Sequence, residues 1–139
     1  MKKKLESLCP SDATPCSASF VRMFKPQFAG LVERGEKLQT VRPTPKRMPK
    51  PGDKISLRCW TDKPYRSKQR VLRDAIITRV APIEIGRDRM VLDGGRLPPW
   101  KHDAFARADG FSDREEMEDW FRATHGLPFV GILISWQSV

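Results

Sequence analysis

The chain is poor in the residues that usually announce chemistry. Its 139 residues include three cysteines, two histidines and one tyrosine. Cys9, Cys16 and Cys59 are odd in number and widely spaced, with no C-x-x-C pair, so neither a disulfide framework nor a zinc site is expected. His102 and His125 lie far apart and belong to no H-E-x-x-H element, which leaves no metal and no other cofactor to expect. G-x-S-x-G and Walker elements are absent, so the common hydrolase and nucleoside-triphosphate signatures are missing. There is no internal repeat and no long linker. Long hydrophobic runs are missing too. The longest, LPFVGILISW from Leu127 to Trp136, is too short to span a bilayer and reads as a buried strand. The basic start, MKKK, resembles a secretory leader only until Glu6 and Ser7 interrupt the apolar stretch such a leader needs. The cytoplasm is the default location, without a membrane partner.

Acidic residues are scarce where basic ones are dense. Lys37 to Arg73 holds twelve basic residues against Asp53 and Asp62, a local charge of +10 within a total of +9, so the remainder is nearly neutral. Such a block is an electrostatic footprint for a polyanion, most simply nucleic acid; the bland alternative is a solubilising surface.

Order along the chain follows from periodicity and punctuation. Residues 1–19, rich in Lys, Ser and Pro, read as a flexible basic tail, and residues 20–139 as one domain. Phe28, Leu31 and Val32 give a helical stripe that Gly35 is placed to end. KLQTV reads as a short strand, and RPTPKRMPKPGD as a proline-broken basic loop. KISLRCW alternates Ile55, Leu57 and Cys59 inward, so it is a half-buried strand with Cys59 in the core. TDKPYRSKQR is a second basic loop, VLRDAIITRVAPIEI is β-rich, and Asp93–Gly95 is a turn. HDAFARADGF suggests a short helix ending near Gly110, with His102 at its start. In SDREEMEDWFRATHG a capping box is expected between Ser112 and Glu115, with Met117, Trp120, Phe121 and Thr124 on one face and His125 at the helix end. The last strand, FVGILISW, should be central. The whole is α+β: short strands forming a mixed or closed sheet with helices packed on it.

One stretch stands out. GEKLQTVRP places Lys37, Thr40 and Arg42 within eight residues of a glycine stop. The segment Met23–Trp136 resembles the ASCH domain family of the PUA-like superfamily. The resemblance is carried by FKPQFAGLVERGEKLQTVRP, KPGDKISL, DAFARADGFSDREEMEDWF and PFVGILISW, and the basic insert KPYRSKQR is similar to phage or prophage members. It implies a small PUA-like β-barrel with helices packed on it, and RNA or a nucleotide as the partner. Some members are amidohydrolases acting on N4-acetylcytidine, and ribonuclease activity is known in the family. Carried over, the hydrolase site would comprise Lys37, Thr40 and Asp109, where those enzymes have a Glu in place of the shorter Asp109.

Thr40 would attack a carbonyl, Lys37 would act as a base with a depressed pKa, and Asp109 would orient the pair. Positions 37 and 40 of a regular strand face opposite ways, so a shared site requires Lys37 to sit in the turn after Gly35. The nucleic-acid-binding set would be Arg42, Lys46, Arg47 and Lys50 on the first loop, and Lys63, Arg66, Lys68 and Arg70 on the second. Trp60 and Tyr65 would stack on bases, although Trp60 fits a sheet-edge core role equally well. Three readings stay open: a binding module, a hydrolase, and an interaction module whose cleft is vestigial.

Overall fold

The structure, a computed structural model, describes residues 18–138. The expected tail up to residue 17, with Cys9 and Cys16, lies outside the described residues. Ser19, the last residue of the expected tail, pairs in the first described strand.

Among the described residues, seven strands form one mixed sheet with three α-helices, an α+β architecture. In chain order these are β1 (Ser19–Met23), α1 (Pro26–Glu33), β2 (Gln39–Pro43), β3 (Lys54–Trp60), β4 (Gln69–Gly86), β5 (Arg89–Leu92) and β6 (Gly95–Arg96). A 3-10 turn (Pro99–Lys101), α2 (His102–Ala108), α3 (Arg114–Thr124) and β7 (Phe129–Ser138) follow.

The β-rich stretch expected around residues 71–85 is one 18-residue strand, β4, on which the sheet branches. One edge of β4 carries antiparallel β3, from Gln69 to Ile76, and then β5, from Ile83 to Gly86. The other edge carries β7, which holds β2 on its far side and is central as expected. β1 runs parallel to β3 and, among the described residues, is an end strand. Among the described residues the backbone ladder does not close into a ring. Its end strands β1 and β2 nevertheless lie within reach of one side chain: Arg42 Nη2 of β2 donates to the Met23 carbonyl of β1 at 2.7 Å.

The expected alternation of β3 is observed, with Ile55, Leu57 and Cys59 buried. The same core takes Val32 from α1, Ile77 and Ile85 from β4, Met117 and Phe121 from α3, and Leu133 and Ile134 from β7. Each such side chain contributes about 1.5–3 kcal/mol of hydrophobic stabilisation. The cap of α3 sits one residue later than expected. Asp113, not Ser112, is the N-cap, and its carboxylate accepts from Glu116 N at 2.9 Å. Glu116 reaches back to accept from Ser112 N at 2.6 Å, so the box pairs Asp113 with Glu116. Thr124, placed on the inner face of α3 from its spacing, is exposed. Among the described residues no helix is long and apolar enough to cross a membrane.

Candidate functional site

The approach to the site begins at Gly35. Its φ of +78° turns the chain out of α1, and the backbone N–H groups of Glu36 and Lys37 both donate to the Leu31 carbonyl. Lys37 therefore leaves the helix in a turn, two residues before β2 begins at Gln39. That offset removes the conflict between positions 37 and 40: Lys37 and Thr40 line one pocket, and Asp109, the C-cap of α2, joins them.

The pocket encloses about 210 Å³ between β1, α1, β2 and α3. Its polar end holds Lys37, Thr40, Arg42 and Asp109, and its walls include Phe24, Phe28 and Trp120, with His125 beside them. Lys37 is 2% exposed and Asp109 4%. Lys37 Nζ donates to the Asp109 carbonyl at 2.5 Å and stands 3.3 Å from Asp109 Oδ1. It also lies 5.1 Å from the Phe28 ring centre and 5.9 Å from that of Phe24, where an ammonium is attracted to the ring faces. Thr40 Oγ1 accepts from Arg42 Nε at 3.1 Å. Asp109 Oδ1 and Gln39 Nε2 are buried without a hydrogen bond of good geometry, so polar groups remain to be satisfied at this end.

Burial dominates the electrostatics. It pushes the Asp109 carboxyl up to about 6, against the downward pull of Lys37 and the weaker pulls of Gln39 and Arg42. Burial also lowers the Lys37 amine, against the attraction of Asp109. Arg42 is brought down to about 10 by burial and then by Arg22. His125 is lowered by burial and by the cations Lys25 and Arg42. Burial disfavours the charged form of each member of the Lys37–Asp109 pair, while the charge of each partner favours the charged form of the other.

Of the residues singled out from sequence, Lys37, Thr40, Asp109 and Arg42 meet in the pocket. None of Lys46, Arg47, Lys50, Trp60, Lys63, Tyr65, Arg66, Lys68 and Arg70 lines it. Arg47 lies over the Phe20 ring and donates to the Ser19 carbonyl, Lys50 pairs with Asp53, and Arg70 pairs with Glu33. Lys46, Lys63, Arg66 and Lys68 are exposed. Trp60 is half-buried with its ring centre 5.1 Å from that of Tyr65, which is 88% exposed and has a φ of +62°.

By spacing, Trp120 reads as helix core and His125 as a helix cap, and nothing local marks Phe24, Lys25 or Arg22. Lys25 Nζ lies 5.2 Å from the Trp120 ring centre at the pocket. No local spacing distinguishes such a wall from an ordinary core stripe, because its members come from opposite ends of the chain. No protein-family model matches this chain, and no curated protein or solved structure matches it.

Proposed function

We propose that the pocket binds a single nucleobase, free as a nucleoside or nucleotide or extended from RNA, and that the chain is an RNA- or nucleotide-binding protein of the ASCH, PUA-like kind. The convergence of Lys37, Thr40, Arg42 and Asp109 at one end of an aromatic-walled pocket carries this reading. A base needs flat apolar faces and an edge of mixed donors and acceptors. Phe24, Phe28 and Trp120 offer the first, and the buried Asp109 carboxylate beside cationic donors offers the second. Size limits the ligand. At about 210 Å³ the pocket is below the roughly 300 Å³ at which drug-sized sites begin, which suits one ring system and not a stacked run.

A second reading, hydrolysis of an acylated cytidine, is favoured by the Lys37–Asp109 pair. Burial lowers the Lys37 amine, and in its neutral form Lys37 has a lone pair to take the proton of Thr40 Oγ1 or of a water. The oxygen would then add to the amide carbonyl carbon. The C–N bond would break as the proton passes from Lys37 to the departing exocyclic nitrogen; a water nucleophile gives acetate directly, whereas Thr40 is left as an acetyl ester that a water, losing its proton to Lys37, then cleaves to acetate and free Thr40. Arg42 Nε, already on Thr40 Oγ1, leaves the hydroxyl's own proton available for that transfer.

The test is calorimetric titration of cytidine and cytidine monophosphate, beside chromatography of N4-acetylcytidine incubated with the protein. Binding that is lost in Trp120→Ala and Asp109→Ala supports the pocket. Release of cytidine and acetate by the wild type, and not by Lys37→Ala, establishes the hydrolase. Neither binding nor release removes the nucleobase from this site.

A further inference from the structure

The outer edge of β1 carries an arrangement that the pocket does not explain. Lys54 N donates to the Ala18 carbonyl and Phe24 N to the Arg58 carbonyl, so the even-numbered backbone groups of β1 face β3. Strand alternation then turns the carbonyls of Ser19, Val21 and Met23 outward. Each meets a guanidinium: Arg47 Nη2 on Ser19 at 2.7 Å, Arg22 Nη1 on Val21 at 2.9 Å and Arg42 Nη2 on Met23 at 2.7 Å. Aromatic rings back the row. Arg47 lies 4.2 Å and Arg22 5.4 Å from the Phe20 ring centre, and Arg42 lies 4.8 Å from that of Phe24.

Three cations drawn from three parts of the chain thus stand in file, and the last of them, Arg42, lines the pocket. None of the three forms an ion pair with a carboxylate among the described residues. They instead repel one another, with Arg47 lowering Arg22 after burial and Arg22 lowering Arg42 after burial.

Capping the carbonyls prevents another strand from pairing on this edge. That would be a sufficient reason for one arginine, and a lysine or a proline would serve as well. It does not explain three guanidiniums held on aromatic faces with most of their five donors unused among the described residues. Their anchors repeat every second residue, about 6.6 Å along a strand, comparable with the distance between successive phosphates of a stretched polynucleotide. A lone phosphate would need one such group; a regular file fits a polymer.

We propose that Arg47, Arg22 and Arg42 form a phosphate track along the β1 edge that leads the backbone of a single-stranded polynucleotide to the pocket, where one base is received. The track rests on the nucleobase reading of the pocket for its destination, but its own binding is separately measurable.

The experiment is fluorescence anisotropy of a labelled short oligoribonucleotide, and of the DNA strand of the same sequence, over a range of salt. The proteins are the wild type, Arg22→Gln/Arg47→Gln, the charge-matched control Arg87→Gln/Arg96→Gln, and Trp120→Ala. Arg87 and Arg96 line a separate surface hollow near the β4–β5 turn. The track variant should bind on the order of tenfold more weakly at low salt, with a log–log salt slope smaller by about 1.4, two single-strand phosphate contacts at roughly 0.7 each. The control should retain the wild-type slope. Arg22→Lys/Arg47→Lys should keep most of the slope and lose affinity, since lysine retains the charge without the fork. Circular dichroism and light scattering of each variant separate lost binding from an uncapped, associating edge.

An unchanged slope in the track variant, or an equal loss in the control, overturns the proposal. If the track holds and only the pocket reading fails, oligonucleotide binding keeps its dependence on Arg22 and Arg47 and ignores Trp120→Ala. Equal behaviour of RNA and DNA assigns recognition to the phosphodiester alone. A preference for RNA adds the 2′-hydroxyl as a recognised group.

Discussion

Lys37 shows how one residue's chemistry depends on a single backbone angle upstream. Gly35, at φ +78°, releases Lys37 from α1 into a turn, and burial does the rest by lowering the amine and raising Asp109 to about 6. Between about 4 and about 6 the folded chain keeps a proton on Asp109 that the unfolded chain has released. This carboxyl's contribution to stability is therefore fully present below that window and is lost as pH rises through it. Across the window the loss is on the order of 2–3 kcal/mol. Urea unfolding of Asp109→Asn should vary less steeply with pH across this window than the wild type; parallel curves would mean that Asp109 titrates as it does unfolded. Removing the neighbouring cation acts in the same direction. In Lys37→Met the Asp109 carboxyl carbon should titrate above about 6 by NMR, because the attraction that pulls it down is gone. A downward move would contradict the assigned pairing.

At the scale of elements, two strands and a helix depend on individual positions. Gly131 lies in β7 opposite Pro43 of β2, and a methyl group there would come within 2.2 Å of the Arg42 carbonyl oxygen and 2.9 Å of the Phe129 ring. Gly131→Ala should cost about 3 kcal/mol or more, since backbone must move. It should also loosen β2, which carries Thr40 and Arg42, so hydrogen exchange in residues 39–43 should speed up more than in β3. For α3, Asp113→Ala should lose about 1 kcal/mol while Ser112→Ala changes stability little. The reverse order in thermal melts would restore the cap expected from S-x-x-E spacing. That expectation failed for a local reason. Both Ser112 and Asp113 are acceptable caps with an acid three residues on, and the contact of Arg114 N with Asp103 Oδ1 at 2.9 Å accompanies the later start.

Over the whole molecule, the +10 block is not one patch. Arg70 pairs with Glu33, Arg58 bonds Ser56 and Gln69, and Arg73 bonds Ser138 and the Glu33 carbonyl. Arg47 and Arg42 turn instead to β1, where Arg22, from outside the block, stands between them. Asp53, one of the block's two acids, is 1% exposed and accepts from Ala18 N, Lys50 N and Lys50 Nζ, clasping the start of β1 to the loop before β3. Burial alone would raise its carboxyl, but these donors together hold it below the usual range. Its stabilisation is present above the unfolded pKa and is lost as pH falls through the folded one. Asp53→Ala should lower Tm markedly at neutral pH and much less in acid; an equal loss at both would show that the clasp acts by packing and not by charge.

The sequence by itself determined the elements. Alternation in KISLRCW, the apolar run at the C-terminus, the stripe and glycine stop of the first helix and the Asp-Gly-Gly turn each act over a few residues, and their spacing is the physics that forms them. It also singled out Lys37, Thr40 and Asp109, through a resemblance and not through geometry. Only the tertiary structure decided that residues 72 positions apart come within 3.3 Å, that Trp120 and His125 wall the same pocket, and that three scattered arginines align on one edge. Those outcomes depend on how β4 branches the sheet and on how deeply each group is buried. Burial is a property of the assembled layers, and with it come the shifted pKa values that local spacing does not encode.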